Sequence, residues 1–94
     1  MALITVRFYS LWRSYLGADS TPLQADHIQD ALTQLEEKFG NQLREKLETA
    51  GVHLEGKIQD YSLILLNGTT LRNLNSTALK EGDVLHIFPP VIGG

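Results

Sequence analysis

The sequence has 94 residues, 43% of them hydrophobic, and a formal net charge of −3, which suits one compact domain with a single core. Its 8 Lys and Arg residues are scattered rather than clustered, so neither nucleic acid nor an anionic membrane is an expected partner. With no Cys, no signal peptide and no apolar run near the roughly 20 residues that cross a bilayer, the expected location is the cytoplasm.

The first strand is predicted in LITVRFY, because Ile4, Val6 and Phe8 alternate with residues of the opposite face. In the SLWRSYLG that follows, the apolar residues are spaced for a single helical turn. Gly17 would close that turn, since glycine accepts a positive φ at no steric cost. Trp12 is expected to cover the core from this turn.

The clearest helix signal is DHIQDALTQLEEKFG. Asp26 is the predicted N-cap, Gln29 would complete a capping box, and Gly40 is the predicted end. The apolar stripe that should face the sheet consists of Ile28, Leu32, Leu35 and Phe39. A second short helical stretch is predicted in NQLREKLETAG. The charged side chains expected on a solvated face are Glu36, Glu37, Arg44, Glu45 and Lys46.

The C-terminal half predicts a strand in YSLILLNG, a tight turn at Asn67-Gly68, a turn at 81–83 and a final strand from Val84 to Phe88. The resulting order is strand, strand, helix, strand, short strand or turn, strand. It predicts an α+β fold, in which a mixed sheet of four to five strands lies on one main helix. The second strand is predicted in DSTPLQ, where Pro22 favours an edge position. The first and last strands are expected at the centre.

The folded body offers no recognisable catalytic site. His27, His53 and His86 have no spacing that converges on a metal, so no metal site is expected. No Ser lies in a strand-turn-helix elbow, and no Gly cluster precedes a helix as in a phosphate-binding loop. By elimination, the body is interpreted as a scaffold.

The last six residues, PPVIGG, suggest a different role. Pro89 and Pro90 lack a backbone donor, so they should end the strand and direct an extended arm away from the sheet. Six residues can reach at most roughly 20 Å. Gly93 and Gly94 could enter a channel too narrow for other residue types, and the reactive group of the arm would be the α-carboxylate of Gly94. Taken alone, two terminal glycines would equally suit a frayed end.

The segment LKEGDVLHIFPPVIGG resembles the C-terminus of the MoaD family of sulfur carriers, part of the MoaD/ThiS group with the ubiquitin-like β-grasp fold. The matching features are an acidic turn with a central Gly, a last strand, Phe-Pro-Pro-Val, one variable residue and Gly-Gly. In this sequence they are Glu81, Gly82 and Asp83, then Phe88, Pro89, Pro90 and Val91, the variable Ile92, and Gly93 and Gly94. The resemblance implies a β-grasp body in residues 1–88 and a flexible tail in residues 89–94.

The resemblance also implies a chemistry and a set of partners. A ubiquitin-activating-type adenylating enzyme, MoeB-like, would adenylate Gly94 with ATP, and a sulfur donor would convert it to a thiocarboxylate. The tail would then enter a MoaE-like large subunit, and together they would form molybdopterin synthase. Residues 89–93 would thread the tail, whereas Tyr9 and Phe88 match aromatic positions on the face shown to partners. The chain itself would bind no cofactor and catalyse nothing alone.

Ordinary packing within the sheet would explain aromatic side chains at Tyr9 and Phe88 as well as partner binding does. The segment from Phe39 to Asp60 is long for the family, and Ile92 is bulkier than the residue often found before Gly-Gly. A ubiquitin-like modifier joined through Gly94 to lysines needs the same adenylation, so it is the alternative interpretation. A carrier for another sulfur pathway, or a β-grasp interaction module with an inert tail, is less favoured.

Overall fold

The computed structural model describes residues 1–70 and 77–89. Short helical turns occupy Glu36–Gly40, which is π-helical, and Ile58–Asp60, which is a 3-10 turn. The strands and helices are β1 (Ala2–Phe8), α1 (Ser10–Leu16), β2 (Ser20–Ala25), α2 (Ile28–Leu35), α3 (Asn41–Thr49), β3 (Leu63–Leu66), β4 (Thr69–Thr70) and β5 (Val84–Phe88). Every predicted strand is present. Of the predicted tail, residues 89–94, the structure describes only Pro89.

The strands form one five-stranded sheet in the order β2-β1-β5-β3-β4. β1 runs parallel to β5, and the other neighbours are antiparallel, so the prediction of a mixed sheet with central first and last strands is confirmed. The edge position of β2 is confirmed as well. Phe8 N–H donates to Asp19 O, which makes Thr5 and Pro22 a non-hydrogen-bonded pair, so the Pro22 nitrogen faces the free edge.

The core lies between the sheet and the helices. On β1 the predicted inward residues Ile4, Val6 and Phe8 are buried, and on α2 the stripe of Ile28, Leu32 and Leu35 is fully buried. Phe39 is partly buried and meets Phe8 edge to face, with 5.2 Å between ring centroids. Burying each of these side chains stabilises the fold by roughly 1.5–3 kcal/mol, so the helix is held mainly by its apolar stripe.

The predicted capping of α2 by Asp26 is wrong. His27 occupies the N-cap position and makes no side-chain cap hydrogen bond. The chain satisfies the helix start through backbone contacts with a distant segment, because Ile28 N–H donates to Thr77 O at 2.9 Å. Asp26 O in turn accepts from Leu79 N–H at 2.8 Å. Such long-range partners cannot be read from a local capping pattern.

The predicted helix end at Gly40 is also wrong. Gly40 has helical backbone angles, φ −58° and ψ −47°, and the helix continues through the π-helical turn into α3. A Cβ at Gly40 would overlap the carboxylate of Glu36. Glycine is therefore present to make room for that carboxylate and not to stop the helix. The second helical stretch predicted after it is confirmed, with Leu43 and Leu47 buried.

Glu36 and Arg44 are not on a solvated face, contrary to the sequence-based prediction. The Arg44 guanidinium donates to both carboxylate oxygens of Glu36, at 2.6 and 3.2 Å, and to Gly56 O at 3.0 Å. Glu36 also accepts from Ile58 N–H at 2.8 Å. The two side chains are only 19% and 26% exposed. This network ties the helical segment to the loop before β3, which gives the long segment between Phe39 and Asp60 a structural role.

Replacing Glu36 with Gln is expected to lower the free energy of unfolding by roughly 1–3 kcal/mol at pH 7, since a charged hydrogen-bonding partner is lost. Hydrogen bonds from Arg44 hold the pKa of Glu36 below its ordinary value, although burial opposes this. The extra free energy of unfolding of the wild type over the variant should therefore be fully present above about pH 4.3, the ordinary pKa of Glu. It should be lost as the pH falls through the lowered pKa of Glu36 in the folded state. Urea denaturation from pH 7 to pH 3 measures this difference.

The exposed neighbour Glu37 provides the matched control, because Glu37→Gln removes the same charge one residue away. At pH 7 the free energy of unfolding of that variant should lie within about 0.5 kcal/mol of the wild type, because Glu37 is exposed and substitutions at such positions have small effects. A Glu36→Gln variant as stable as Glu37→Gln at pH 7 would show that the network does not stabilise the fold.

Candidate functional site

The two residues predicted to bind a partner, Tyr9 and Phe88, lie side by side. Tyr9 follows the end of β1, and Phe88 is the last residue of β5. The parallel register of these strands pairs Phe8 with Ile87, which brings the two aromatic residues to one end of the sheet. Their rings are stacked with centroids 4.4 Å apart and planes at 12°. Both side chains are half-buried, so the stack is formed by sheet packing and still presents a surface to solvent.

The backbone holds Tyr9 firmly in this position. Its N–H donates to Ile87 O at 3.2 Å, which extends the ladder between β1 and β5. Its carbonyl accepts from Trp12 N–H at 3.1 Å, at the start of α1. Ser10 then adopts a positive φ of 52°, a region that costs energy for a residue with a Cβ. The sharp turn fixes where the Tyr9 ring lies before any partner arrives.

His86 belongs to the same cluster. Its Nδ1 lies 2.6 Å from the hydroxyl of Tyr9, and the two ring centroids are 5.6 Å apart. The side chain is half-buried on the same face as Val84 and Phe88. The alternation of β5 indicated that shared face, but the pairing with Tyr9 depends on the register between two strands distant in sequence.

Arg7 is a second residue of this cluster that the sequence analysis did not select. It pairs with His86 in the β1–β5 register, and its guanidinium carbon is 6.0 Å from the centroid of the Tyr9 ring. We call the cluster of Arg7, Tyr9, His86 and Phe88 the aromatic face. The only sequence signal for Arg7 was the period-two pattern of β1, which places Arg7 and Tyr9 on one side.

Apolar side chains extend the aromatic face across the sheet. Leu63 pairs with Phe88, and Leu65 pairs with His86, in the antiparallel register of β3 and β5. Leu63 and Leu3 are each 45% exposed. Among the described residues, no helix covers this side of the sheet in the way that α2 covers the other. An apolar sheet face rimmed by polar residues is typical of a surface that binds another protein.

Two turns are joined to each other at the start of β5, the end of that strand opposite Phe88. The predicted turns at Asn67-Gly68 and at 81–83 are confirmed, and Asn67, Gly68 and Gly82 have positive φ. The Asn67 side chain donates to Asp83 at 3.0 Å and accepts from Val84 N–H at 2.9 Å. The hydrogen bond from Asn67, together with one that the backbone N–H of Lys80 donates to Asp83 at 2.8 Å, lowers the pKa of Asp83. The start of the last strand is therefore fixed, and Pro89 directly follows Phe88 at the other end of that strand.

The remaining candidate residues do not form a second site in residues 1–70 and 77–89. His27 begins α2, His53 lies in the loop after α3 beside Glu48 and Glu55, and His86 is in β5. No group of three or more acidic or imidazole side chains in these ranges is placed to hold a metal ion. The same ranges contain no pocket. No helix within them has the length and apolar character that crossing a membrane requires.

Of the tail residues predicted to carry the chemistry, the structure describes only Pro89. It follows Phe88 directly and is half-buried. Pro90, Val91, Ile92 and the two final glycines lie outside the described residues, so their predicted roles in threading and activation stay predictions.

Comparison with known proteins places the chain among small carriers and modifiers. A model of the ThiS family matches residues 6–94. Small archaeal modifier protein 3 of Haloferax volcanii is 28% identical over 96 residues, covering 97% of this chain and 98% of the relative. Among solved structures, the complex of subunits 1 and 2 of the molybdopterin-converting factor from Helicobacter pylori contains a chain that is 28% identical, with a TM-score of 0.65. That match covers 98% of this chain and 99% of the other.

A second solved structure, small archaeal modifier protein 1 from Methanosarcina acetivorans, is 26% identical with a TM-score of 0.68 and covers 100% of this chain and 98% of its own. These full-length likenesses confirm the predicted ubiquitin-like β-grasp fold. They also confirm the predicted resemblance to the MoaD/ThiS group, because both a converting-factor subunit and the ThiS family model match nearly the whole chain.

Proposed function

This chain belongs to the ThiS family, and from that premise we propose that it is a sulfur carrier, loaded at Gly94, that serves as the small subunit of a molybdopterin synthase. It is a carrier of the ThiS/MoaD type or a ubiquitin-like modifier, proteins that do not act as enzymes on their own. The molybdopterin role is the finer proposal. Its main support is the family match, which runs through Gly93 and Gly94, together with the half-buried aromatic stack where the last strand ends.

The proposed chemistry begins at the α-carboxylate of Gly94. One carboxylate oxygen attacks the α-phosphorus of ATP in the adenylating enzyme, pyrophosphate leaves, and an acyl-adenylate forms. A sulfur donor then delivers sulfur at the oxidation level of sulfide to the acyl carbon, and AMP leaves with the bonding electrons. The product is a thiocarboxylate, in which one sulfur replaces one oxygen. ATP is used by the activating partner, and we expect no cofactor bound to this chain.

In this proposal the folded body positions the Gly94 carboxylate for reaction. A carboxylate on a short arm reacts efficiently only if the body docks in one orientation, since effective concentration falls when the geometry is loose. Tyr9 and Phe88 are stacked, and Tyr9 is fixed by its own backbone hydrogen bonds. A face ordered in advance loses little side-chain entropy on docking, which favours a tight complex with the adenylating enzyme and later with a MoaE-like subunit. The subunit complex from Helicobacter pylori supports the second of these partners.

One observation favours a second function. The curated relative from Haloferax volcanii is a small archaeal modifier protein, and it matches over nearly its whole length. A modifier uses the same acyl-adenylate, but the final nucleophile is the ε-amino group of a target lysine. It displaces AMP, or a thiol if the acyl group has first been transferred to a thioester, and an isopeptide bond to Gly94 results. The two functions therefore share the activation step and differ in the nucleophile that ends it.

Reconstitution separates the two functions. The thiocarboxylated chain is mixed with the MoaE-like subunit of the same genome and a sulfur-free pterin precursor. For a molybdopterin synthase subunit, we expect molybdopterin in proportion to the thiocarboxylate consumed. Sulfur that remains on the chain would refute the molybdopterin role. In a parallel reaction with cell extract, adenylating enzyme and ATP, tandem mass spectrometry of peptides with Gly94 joined to a lysine would identify a modifier.

A further inference from the structure

We propose that Arg7 and His86 form a recognition site for an acidic side chain of the partner protein, set against the stack of Tyr9 and Phe88. This inference deepens the proposed function and rests on it, because it concerns how the same face selects its partner. An aromatic stack alone would attract many apolar surfaces. Two adjacent polar groups on that face supply a means of discrimination.

Arg7 is available for such a contact. Its side chain is exposed, and within residues 1–70 and 77–89 it has no acidic partner at ion-pair distance. The other described arginines differ, since Arg13 is 3.6 Å from Asp19 and Arg44 is paired with Glu36. The Tyr9 ring beneath Arg7, 6.0 Å from the guanidinium carbon, limits the directions the guanidinium takes without neutralising its charge.

His86 provides a second donor beside Arg7. Its Nδ1 lies 2.6 Å from the Tyr9 hydroxyl, and when the phenol donates to Nδ1 the neutral ring carries its proton on Nε2. Nε2 has no hydrogen-bond partner among the described residues. A partner that covers this face removes water from Nε2, and a donor left without an acceptor in an interface weakens binding. The cognate partner must therefore bring an acceptor.

The register places both donors within reach of one group. Arg7 and His86 are directly paired neighbours on β1 and β5 and lie on the same side of the sheet. Leu65 pairs with His86 from the other side and provides no competing charge. A carboxylate has two oxygens that can accept from a guanidinium and from an imidazole N–H at once, whereas a neutral acceptor would leave the arginine charge uncompensated. The matching partner group is thus a Glu or Asp side chain above an apolar surface.

The test compares Arg7→Glu with Lys46→Glu, which makes the same charge change at an exposed position of α3. The probes are the purified adenylating enzyme and the purified MoaE-like subunit of the same genome, and binding is measured by calorimetry. We expect Arg7→Glu to weaken binding to at least one of them by about 30-fold relative to Lys46→Glu. Circular dichroism must show that both variants are folded. Equal binding by the two variants overturns the inference.

A charge exchange tests the carboxylate itself. Each acidic residue on the docking surface of the partner is replaced in turn by Lys, and one such variant should restore the affinity lost in Arg7→Glu. If none of these variants restores the affinity, the inference that Arg7 contacts an acidic side chain of the partner is refuted. Nitrogen NMR of His86 should show the proton on Nε2 in the wild type, and Tyr9→Phe, which keeps the ring, should release that preference. A proton on Nδ1 at neutral pH would remove His86 from the site.

These outcomes are distinguishable from failure of the proposed function. If the wild type is adenylated and the Arg7→Glu and Lys46→Glu variants bind equally, the carrier function is supported and the recognition site is refuted. If the wild type binds a probe, the Arg7→Glu variant does not, and the wild type is never adenylated, the recognition site is supported and the carrier function is refuted. If the wild type binds neither probe, both are refuted.

Discussion

Deleting Gly94 is expected to lower the rate of ATP-dependent activation more than 100-fold, to background, with no change in the fold. The deletion still leaves a terminal carboxylate, now on Gly93, but moves it back by one residue, and misplacing a reacting group by even about 1 Å costs on the order of 100-fold. Pyrophosphate exchange with the adenylating enzyme measures the rate, and thermal unfolding measures the fold.

Ile92→Ala is the matched control for this deletion, because it shortens a side chain in the tail and keeps the terminal Gly-Gly. Its activation rate should stay within a fewfold of the wild type. A Gly94 deletion that is activated as fast as Ile92→Ala would show that the reactive carboxyl group is not at this position.

Replacing Trp12 with Ala is expected to lower the free energy of unfolding by roughly 3–5 kcal/mol, the largest stability effect predicted for this chain. Trp12 is fully buried, and its indole meets Tyr61 edge to face, with 6.2 Å between ring centroids. A domain of this size has a total stability of about 5–15 kcal/mol, so the variant should be close to unfolding at 37 °C. Because the chain has one Trp, urea denaturation must be followed by circular dichroism.

Ser62→Ala separates packing from hydrogen bonding at the same place. The indole Nε1–H of Trp12 donates to Ser62 Oγ at 2.8 Å, and losing only that acceptor should cost about 1 kcal/mol. If Trp12→Ala cost no more than Ser62→Ala, Trp12 would not be the core residue that its burial indicates.

The strands and their places in the sheet could be predicted because each depends on a local pattern. Period-two alternation identified the inward residues of β1, and Pro22 identified the edge. The end of the helix could not be predicted in this way. Gly40 normally signals a stop, but here it accommodates the Glu36 carboxylate, which is drawn inward by Arg44 and by Ile58 N–H. Those partners lie 8 and 22 residues away, and they become neighbours only after the chain has folded.

The candidate site, like the fold, could be predicted only in part. Tyr9 and Phe88 were selected by resemblance to a family, and the structure brings them together as a stack. Arg7 and His86 could not be found from the sequence, because a lone Arg and a lone His carry no spacing signal. Their significance depends on the parallel pairing of β1 with β5, which sets residues 79 positions apart opposite each other.

The most direct test is the intact mass of the purified chain after incubation with the adenylating enzyme of its own genome, ATP and a sulfur donor. A sulfur carrier should gain the mass difference of one sulfur replacing one oxygen, only when ATP is present and not after deletion of Gly94. An unchanged mass, under conditions in which another carrier from the same genome is converted, would contradict the proposal that this chain carries sulfur on Gly94.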